Sequence, residues 1–255
     1  MAMIIFDCNC WYGVPIKAPL APALTPADVL AEMDFCGIHR ALLRNAACFE
    51  ESPEVGNPLT CAGAATSERF APSWALLPPH TGELGDVTDL LAAMRQAGVR
   101  SLWAHPAEHR YLLNRTSCGG LLEEMVARRI PLFLPRKATS GGLDAYALAD
   151  SLLADFPELR LILVGHGPWG EDRYFRPLMA RYPHFAVDTS RYELDGGIEG
   201  ICQTYGPQRL LFGTNFPLTY MGGPLLTLLQ ATISDEDRAL IAGGNLQQLL
   251  EEARP

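Results

Sequence analysis

Apolar residues gather along this chain into short runs that are continuous rather than alternating. The runs are Ile4 to Cys8, Ala41 to Leu43, Trp74 to Leu77, Val99 to Ala104, Pro131 to Leu134, Leu159 to Val164, Phe185 to Val187 and Leu210 to Phe212. An alternating run has one wet face, whereas a continuous run of this length suits a parallel strand buried on both faces. Between the runs, apolar positions recur at helical spacing. Thr25-Pro-Ala-Asp28 predicts a helix start, with a hydroxyl N-cap, proline in the first turn and an early acid, and Gly37 predicts its stop after Phe35. Further helices are predicted over Asp86 to Ala97, Gly120 to Arg128, Leu143 to Phe156, Glu171 to Tyr182, Leu225 to Thr232, Ser234 to Ile241 and Asn245 to Ala253.

Eight strands alternating with helices predict a single-domain (β/α)₈ TIM barrel over residues 1–255. Two stretches fit the pattern poorly, Ala47 to Arg69 and Pro106 to Ser117. The first, with Pro53, Gly56, Pro58 and Gly63, reads as an extended loop with a short helix. An open doubly wound sheet is the structural alternative, but no glycine-rich phosphate loop follows the first run.

Composition narrows the function. A formal net charge of -9 argues against a general nucleic-acid binder, which needs a basic face, but leaves room for a local cationic pocket. No stretch approaches the roughly 18 to 20 apolar residues of a membrane span, and the opening Met1 to Phe6 lacks the form of a signal peptide. The 7 cysteines are odd in number and scattered, unlike a secreted disulfide frame. A cytoplasmic protein without cofactor, membrane or nucleic-acid partner is expected, with homo-oligomerisation left open.

The candidate chemistry sits where runs end. Phe6-Asp-Cys-Asn-Cys-Trp-Tyr-Gly13, Ile162-Leu-Val-Gly-His-Gly167, Phe185-Ala-Val-Asp-Thr-Ser190, Leu211-Phe-Gly-Thr-Asn-Phe-Pro217 and Gly243-Gly-Asn-Leu246 stand in the order and spacing of one family. The chain resembles the amidohydrolase superfamily, in the branch of metal-dependent TIM-barrel hydrolases and aminocarboxymuconate-semialdehyde-type decarboxylases. That resemblance implies a metal site fed by Asp-x-His-x-His on the first strand, histidines after the fifth and sixth, and an aspartate after the last. Those positions here carry Asn9, Trp11, Pro135, His166 and Asn215, and only His166 retains a ligand side chain. A divalent site needs three or four anionic or imidazole donors converging on one point, so no metal is expected.

Several residues carry two readings each. Asp7 either works in the site or ties a loop structurally, and Cys8 and Cys10 either recruit a soft metal with His166 or are core thiols. His166 either lines a pocket or is a hydrogen-bonded core histidine; Trp11 either stacks on a planar ligand or plugs the metal cavity. As an enzyme, the chain would be a metal-independent hydrolase, lactonase-like, or a decarboxylase acting on a small carboxylated compound. Its catalytic candidates are His166, His105 and Asn215; its substrate-binding candidates are Asn9, Trp11, Arg44, Arg136, Lys137 and Arg191. Arginine suits a small anionic substrate because its planar fork donates two parallel hydrogen bonds to a carboxylate. Arg136 and Lys137 can equally face outward and pair with surface acids. The competing reading is a non-catalytic ligand-binding relative whose metal site has decayed. A closed barrel should bring Asp7, Asn9, Trp11, His105, His166 and Asn215 around one mouth.

Overall fold

A computed structural model describes residues 3–16, 23–137, 144–166 and 171–255. The chain forms a parallel (β/α)₈ barrel. Its strands are β1 (Phe6–Tyr12), β2 (Arg40–Asn45), β3 (Phe70–Pro72), β4 (Trp74–Ala75), β5 (Leu102–Trp103), β6 (Leu132–Pro135), β7 (Leu161–Val164), β8 (Phe185–Asp188) and β9 (Leu210–Leu211). The segments β3 and β4 are one barrel strand interrupted at Ser73: β3 pairs with β2, β4 pairs with β5, and the Ser73 amide donates to the Leu43 carbonyl. The ring closes between first and last strands, where the Cys8 amide donates to Phe212 O at 2.9 Å and the Trp11 amide to Phe216 O at 3.0 Å.

Two apolar layers follow from the two-residue period of the strands. Leu132, Leu134, Leu161, Leu163, Phe185 and Val187 pack outward against the helices. Phe6, Leu42, Trp103, Phe133, Ile162 and Leu211 fill the barrel, where Leu246 and Leu250 of the C-terminal helix Asn245–Glu252 join them. That helix approaches closely because of Gly243: a Cβ there would lie 2.5 Å from the Ile4 carbonyl oxygen.

Local signals set the helices where they are strong. Thr25 and Asp86 each close a capping box, with Asp28 and Asp89, and Gly37 and Gly98 end those helices in the left-handed conformation. Three expectations need correction. The stretch after Asn45 is mostly helical, with Ala47–Glu50 followed by the twelve-residue helix Pro53–Ala64. Its glycines answer to packing, since a Cβ on Gly56 would lie 2.2 Å from the Cys48 amide nitrogen and one on Gly63 would lie 2.3 Å from Tyr12 Oη. The helix Arg115–Ala127 begins before Gly120, because the Asn114 side chain caps it by accepting from the Ser117 amide. The helix Gly197–Tyr205 is additional, its periodicity diluted by Gly197 and Gly200. Leu143 and Gly167, each used in a sequence expectation, lie outside the described residues. Among those described, no helix is long and apolar enough to cross a membrane.

Candidate functional site

Strand parity places the site. Leu42 points into the barrel, so Arg44 does too; the same step of two carries Trp103 to His105, Ala186 to Asp188 and Val164 to His166. On β1 the register against β2 shifts between Asp7 and Cys10. This bulge reverses the parity: Phe6 and Cys8 face the interior before it, whereas Cys10 and Tyr12 join the outer layer after it. Asn9 and Trp11 are thereby turned to the inside.

These side chains form one buried polar network across the barrel. Arg44 donates to Asn9 Oδ1 at 3.1 Å, and its other terminal nitrogen lies 3.5 Å from His105 Nε2. Asn9 Nδ2 donates to Asp188 Oδ2 at 3.1 Å, and the Gly165 amide donates to Asp188 Oδ1 at 2.8 Å. Gly213 makes room for this, since a Cβ there would lie 2.6 Å from Asp188 Oδ2. His166 Nε2 stands 4.0 Å from Asp188 Oδ1, and its Nδ1 lies 3.3 Å from Tyr146 Oη. Tyr146 donates to Glu171 Oε2 at 2.5 Å, and Arg136 pairs with the other oxygen of Glu171.

Arg44 is the electrostatic centre of one half. It is 3% exposed, forms no ion pair with a carboxylate among the described residues, and its Nε has no hydrogen-bond partner there. The guanidinium instead lies 3.4 Å above the Trp103 ring centroid, and Trp103 stacks with Phe133 and His105. Burial pulls its pKa down to about 10, which still leaves it charged at neutral pH. His105 is held neutral: burial first, then the adjacent guanidinium, push its pKa well below the usual histidine range. Burial also lowers His166, against the opposing pull of Asp188 and Glu171.

The remaining expected residues separate into groups. Trp11 is buried and meets Phe49 edge-on at 5.3 Å, and Phe49 in turn lies 5.5 Å from His105, so Trp11 reaches the site through that ring. Asp7 takes a structural position, accepting from the Asn9 and Thr214 amides and the Thr214 hydroxyl. Asn215, next to Thr214, has φ 57° and offers its carbonyl to the Leu218 and Thr219 amides. Lys137 is exposed and Arg191 half-buried, so neither belongs to the buried network. Asp188, Trp103, Tyr146 and Glu171 were missing from the sequence candidates. Asp188 stood inside the Asp-Thr-Ser motif, where its carboxylate was the available signal; Tyr146 and Glu171 lie on helical segments that gave none.

As a donor set for a divalent cation, the described residues fall short. They contain no group of three His, Cys, Asp or Glu side chains able to hold one. Both Asp188 oxygens and both Asp7 oxygens already accept hydrogen bonds. A cleft of about 480 Å³ lies elsewhere, between the starts of β7 and β8 and the C-terminal helix. Its charges are mutually paired, Arg160 with Glu252 and His184 with Glu158, so the barrel mouth is the better candidate.

The amidohydrolase family model matches residues 13–250. The chain belongs to this family. Among solved structures, it is similar to a dihydroxybenzoic acid decarboxylase from a Polaromonas species with bound manganese and the inhibitor 2-nitroresorcinol. That similarity has a TM-score of 0.77 at 16% identity and covers 99% of this chain and 98% of that one. A 5-carboxyvanillate decarboxylase from Sphingomonas paucimobilis aligns with TM-score 0.68 at 16% identity over 98% and 99% of the two chains. A putative amidohydrolase from Staphylococcus aureus gives 0.76 at 16% identity over 98% and 100%. No curated protein compared with the sequence matches it. Within this amidohydrolase, the matched region begins after Asn9 and Trp11, the two first-strand positions that the buried network occupies.

Proposed function

We propose that this amidohydrolase is an enzyme acting on a small planar carboxylated compound, and that its chemistry runs on side chains without a metal ion. One observation carries the reading: Arg44 is charged, buried and without a carboxylate partner among the described residues. A buried cation costs several kcal/mol unless paired, so such a site selects a ligand that supplies the missing anion. Phe49, half-buried beside Arg44 and His105, offers an aromatic ring to a planar ligand. The decarboxylases among the structural neighbours act on aromatic carboxylates, which agrees with that ligand class.

His166 is the acid–base candidate, neutral and backed by Asp188. A hydrolysis would use it to take a proton from water; a decarboxylation would use it to take the proton of a ring hydroxyl and pass that proton to the carbon that loses carbon dioxide. The non-catalytic alternative keeps one specific support, the amide of Asn215 where the family resemblance implies a proton-shuttling carboxylate. The test is a panel of hydroxybenzoates and carboxylated lactones, with thermal shift for binding and product analysis for turnover. Stabilisation by carboxylates that is lost in Arg44→Met, together with product formation lost in His166→Gln, supports the enzyme. Stabilisation without turnover supports the binder, and no stabilisation by any carboxylate overturns both.

A further inference from the structure

His166 has two ring nitrogens in different company, and one neighbouring ion pair decides what each can do. Arg136 neutralises Glu171 on one oxygen, so Glu171 is a carboxylate and can only accept on the other. The single hydroxyl proton of Tyr146 is therefore committed to Glu171 at 2.5 Å. Toward His166, the tyrosine oxygen is left with lone pairs, and contact at 3.3 Å with Nδ1 is favourable only if Nδ1 carries the proton. Burial keeps the ring neutral, so Nε2 then holds a lone pair. Nε2 is fully buried, has no hydrogen-bond partner among the described residues, and faces the Asp188 carboxylate at 4.0 Å. Two acceptors face each other there, an arrangement that favours the arrival of a proton.

We propose that Tyr146 is a positioning residue, locked by Glu171 and Arg136, that fixes His166 in the Nδ1–H tautomer and so leaves Nε2 as a proton acceptor beside Asp188. The complementary ligand group is an acidic O–H, of water or of a hydroxylated ring. Its O–H bond breaks as the Nε2–H bond forms; the new imidazolium keeps its Nδ1 contact with Tyr146 and gains Asp188 as counter-ion, and the ligand oxygen holds the negative charge. The assignment of Tyr146 stands without any carboxylate bound at Arg44, so it can fail or hold separately from the proposed function.

The test is the ¹⁵N–¹H correlation spectrum of ¹⁵N-histidine-labelled protein, in which protonated and bare imidazole nitrogens resonate far apart. His166→Gln assigns the signals. The expected wild-type pattern is a protonated Nδ1 and a bare Nε2. In Tyr146→Phe, Nδ1 loses its acceptor and the proton moves to Nε2, next to Asp188. Glu171→Gln frees the tyrosine proton to point at Nδ1 and drives the same exchange, which keeps the idea testable if Tyr146→Phe does not fold. The other histidine signals serve as a fold control. A wild-type Nε2–H tautomer, or a folded variant of either kind that leaves the His166 signals in place, overturns the proposal.

Discussion

Arg209 and Arg44 are both buried, at opposite ends of the barrel, and neither pairs with a carboxylate among the described residues; their surroundings differ in kind. At the foot, the terminal nitrogens of Arg209 donate to the carbonyls of Met179, Tyr182 and Pro183, where the helix Asp172–Arg181 ends. Those carbonyls are the negative end of a helix, so cation and dipole satisfy each other within the chain. At the mouth, Arg44 has one amide oxygen and one neutral imidazole, over an indole face. Removing water costs both arginines; the foot returns three carbonyl acceptors, whereas the mouth returns one amide oxygen and a neutral imidazole. The same side chain is a strut in one place and an incomplete site in the other.

The comparison breaks most visibly if the strut is dispensable. Arg209→Ala leaves three carbonyls without their donors and a cavity behind them, and should cost about 4 kcal/mol of unfolding free energy. Urea denaturation checks this, and a loss no larger than that of an exposed arginine would show that the foot does not depend on it.

Asp7 sharpens the contrast from the acidic side. It binds the Asn9 amide and Thr214 on both amide and hydroxyl, yet burial raises its pKa from 3.8 to about 6. The folded protein therefore holds this proton more tightly than the unfolded chain. Its stabilising contribution is complete below about pH 4 and is lost as pH rises through about 6, a change of about 3 kcal/mol. Asp7→Asn should flatten that part of the stability profile, and an unchanged slope between pH 4 and 6 in urea titrations would assign the slope to other groups.

Arg44→Met keeps the aliphatic volume over Trp103 and deletes the charge. Free protein should be unchanged or about 1 kcal/mol more stable, because an unmatched buried cation is gone. Affinity for a small aromatic carboxylate should fall by about 10–100-fold, the loss of one or two charge-assisted hydrogen bonds. Calorimetry with benzoates reads the second effect and denaturation the first. A variant that destabilises as much as Arg209→Ala would place Arg44 among the struts.

The fold was largely legible because continuous apolar runs mark strands buried on both faces, and capping residues mark helices such as Pro26–Cys36. The helix Pro53–Ala64 was not, since Gly56, Pro58 and Gly63 carry turn chemistry in isolation and meet packing demands only in three dimensions. Arg44, His105 and His166 were legible at the site because each follows an apolar run by one or two residues. Asn9 and Trp11 face inward through a bulge on β1 that leaves no local trace in the sequence. Tyr146 meets His166 across 20 residues of chain and Glu171 across 25, contacts that no local spacing encodes.

Gly213 connects closure of the barrel to the site. Its missing side chain lets Asp188 and Asn9 meet, and a Cβ would lie 2.6 Å from Asp188 Oδ2 and 3.3 Å from Asn9 Cβ. Gly213→Ala should cost about 1–3 kcal/mol through overpacking and should shift the His166 signals as Asp188 moves. If stability falls and His166 does not respond, the contact between Asp188 and His166 is looser than its position implies.

The smallest expected effect belongs to Lys137, which follows the same apolar run as Arg136. Its exposure leaves the ammonium in water, where attraction to a bound anion is weakened by solvent and screened by salt within about 8–10 Å. Arg136, one residue earlier, is held by Glu171 and belongs to the support of Tyr146. Lys137→Ala should change carboxylate affinity by less than about twofold at 0.15 M salt, within the range of an exposed charge. A tenfold loss in the same calorimetric titration would mean that the ammonium touches the ligand, and the cationic centre of the mouth would then have to be widened from Arg44 to include it.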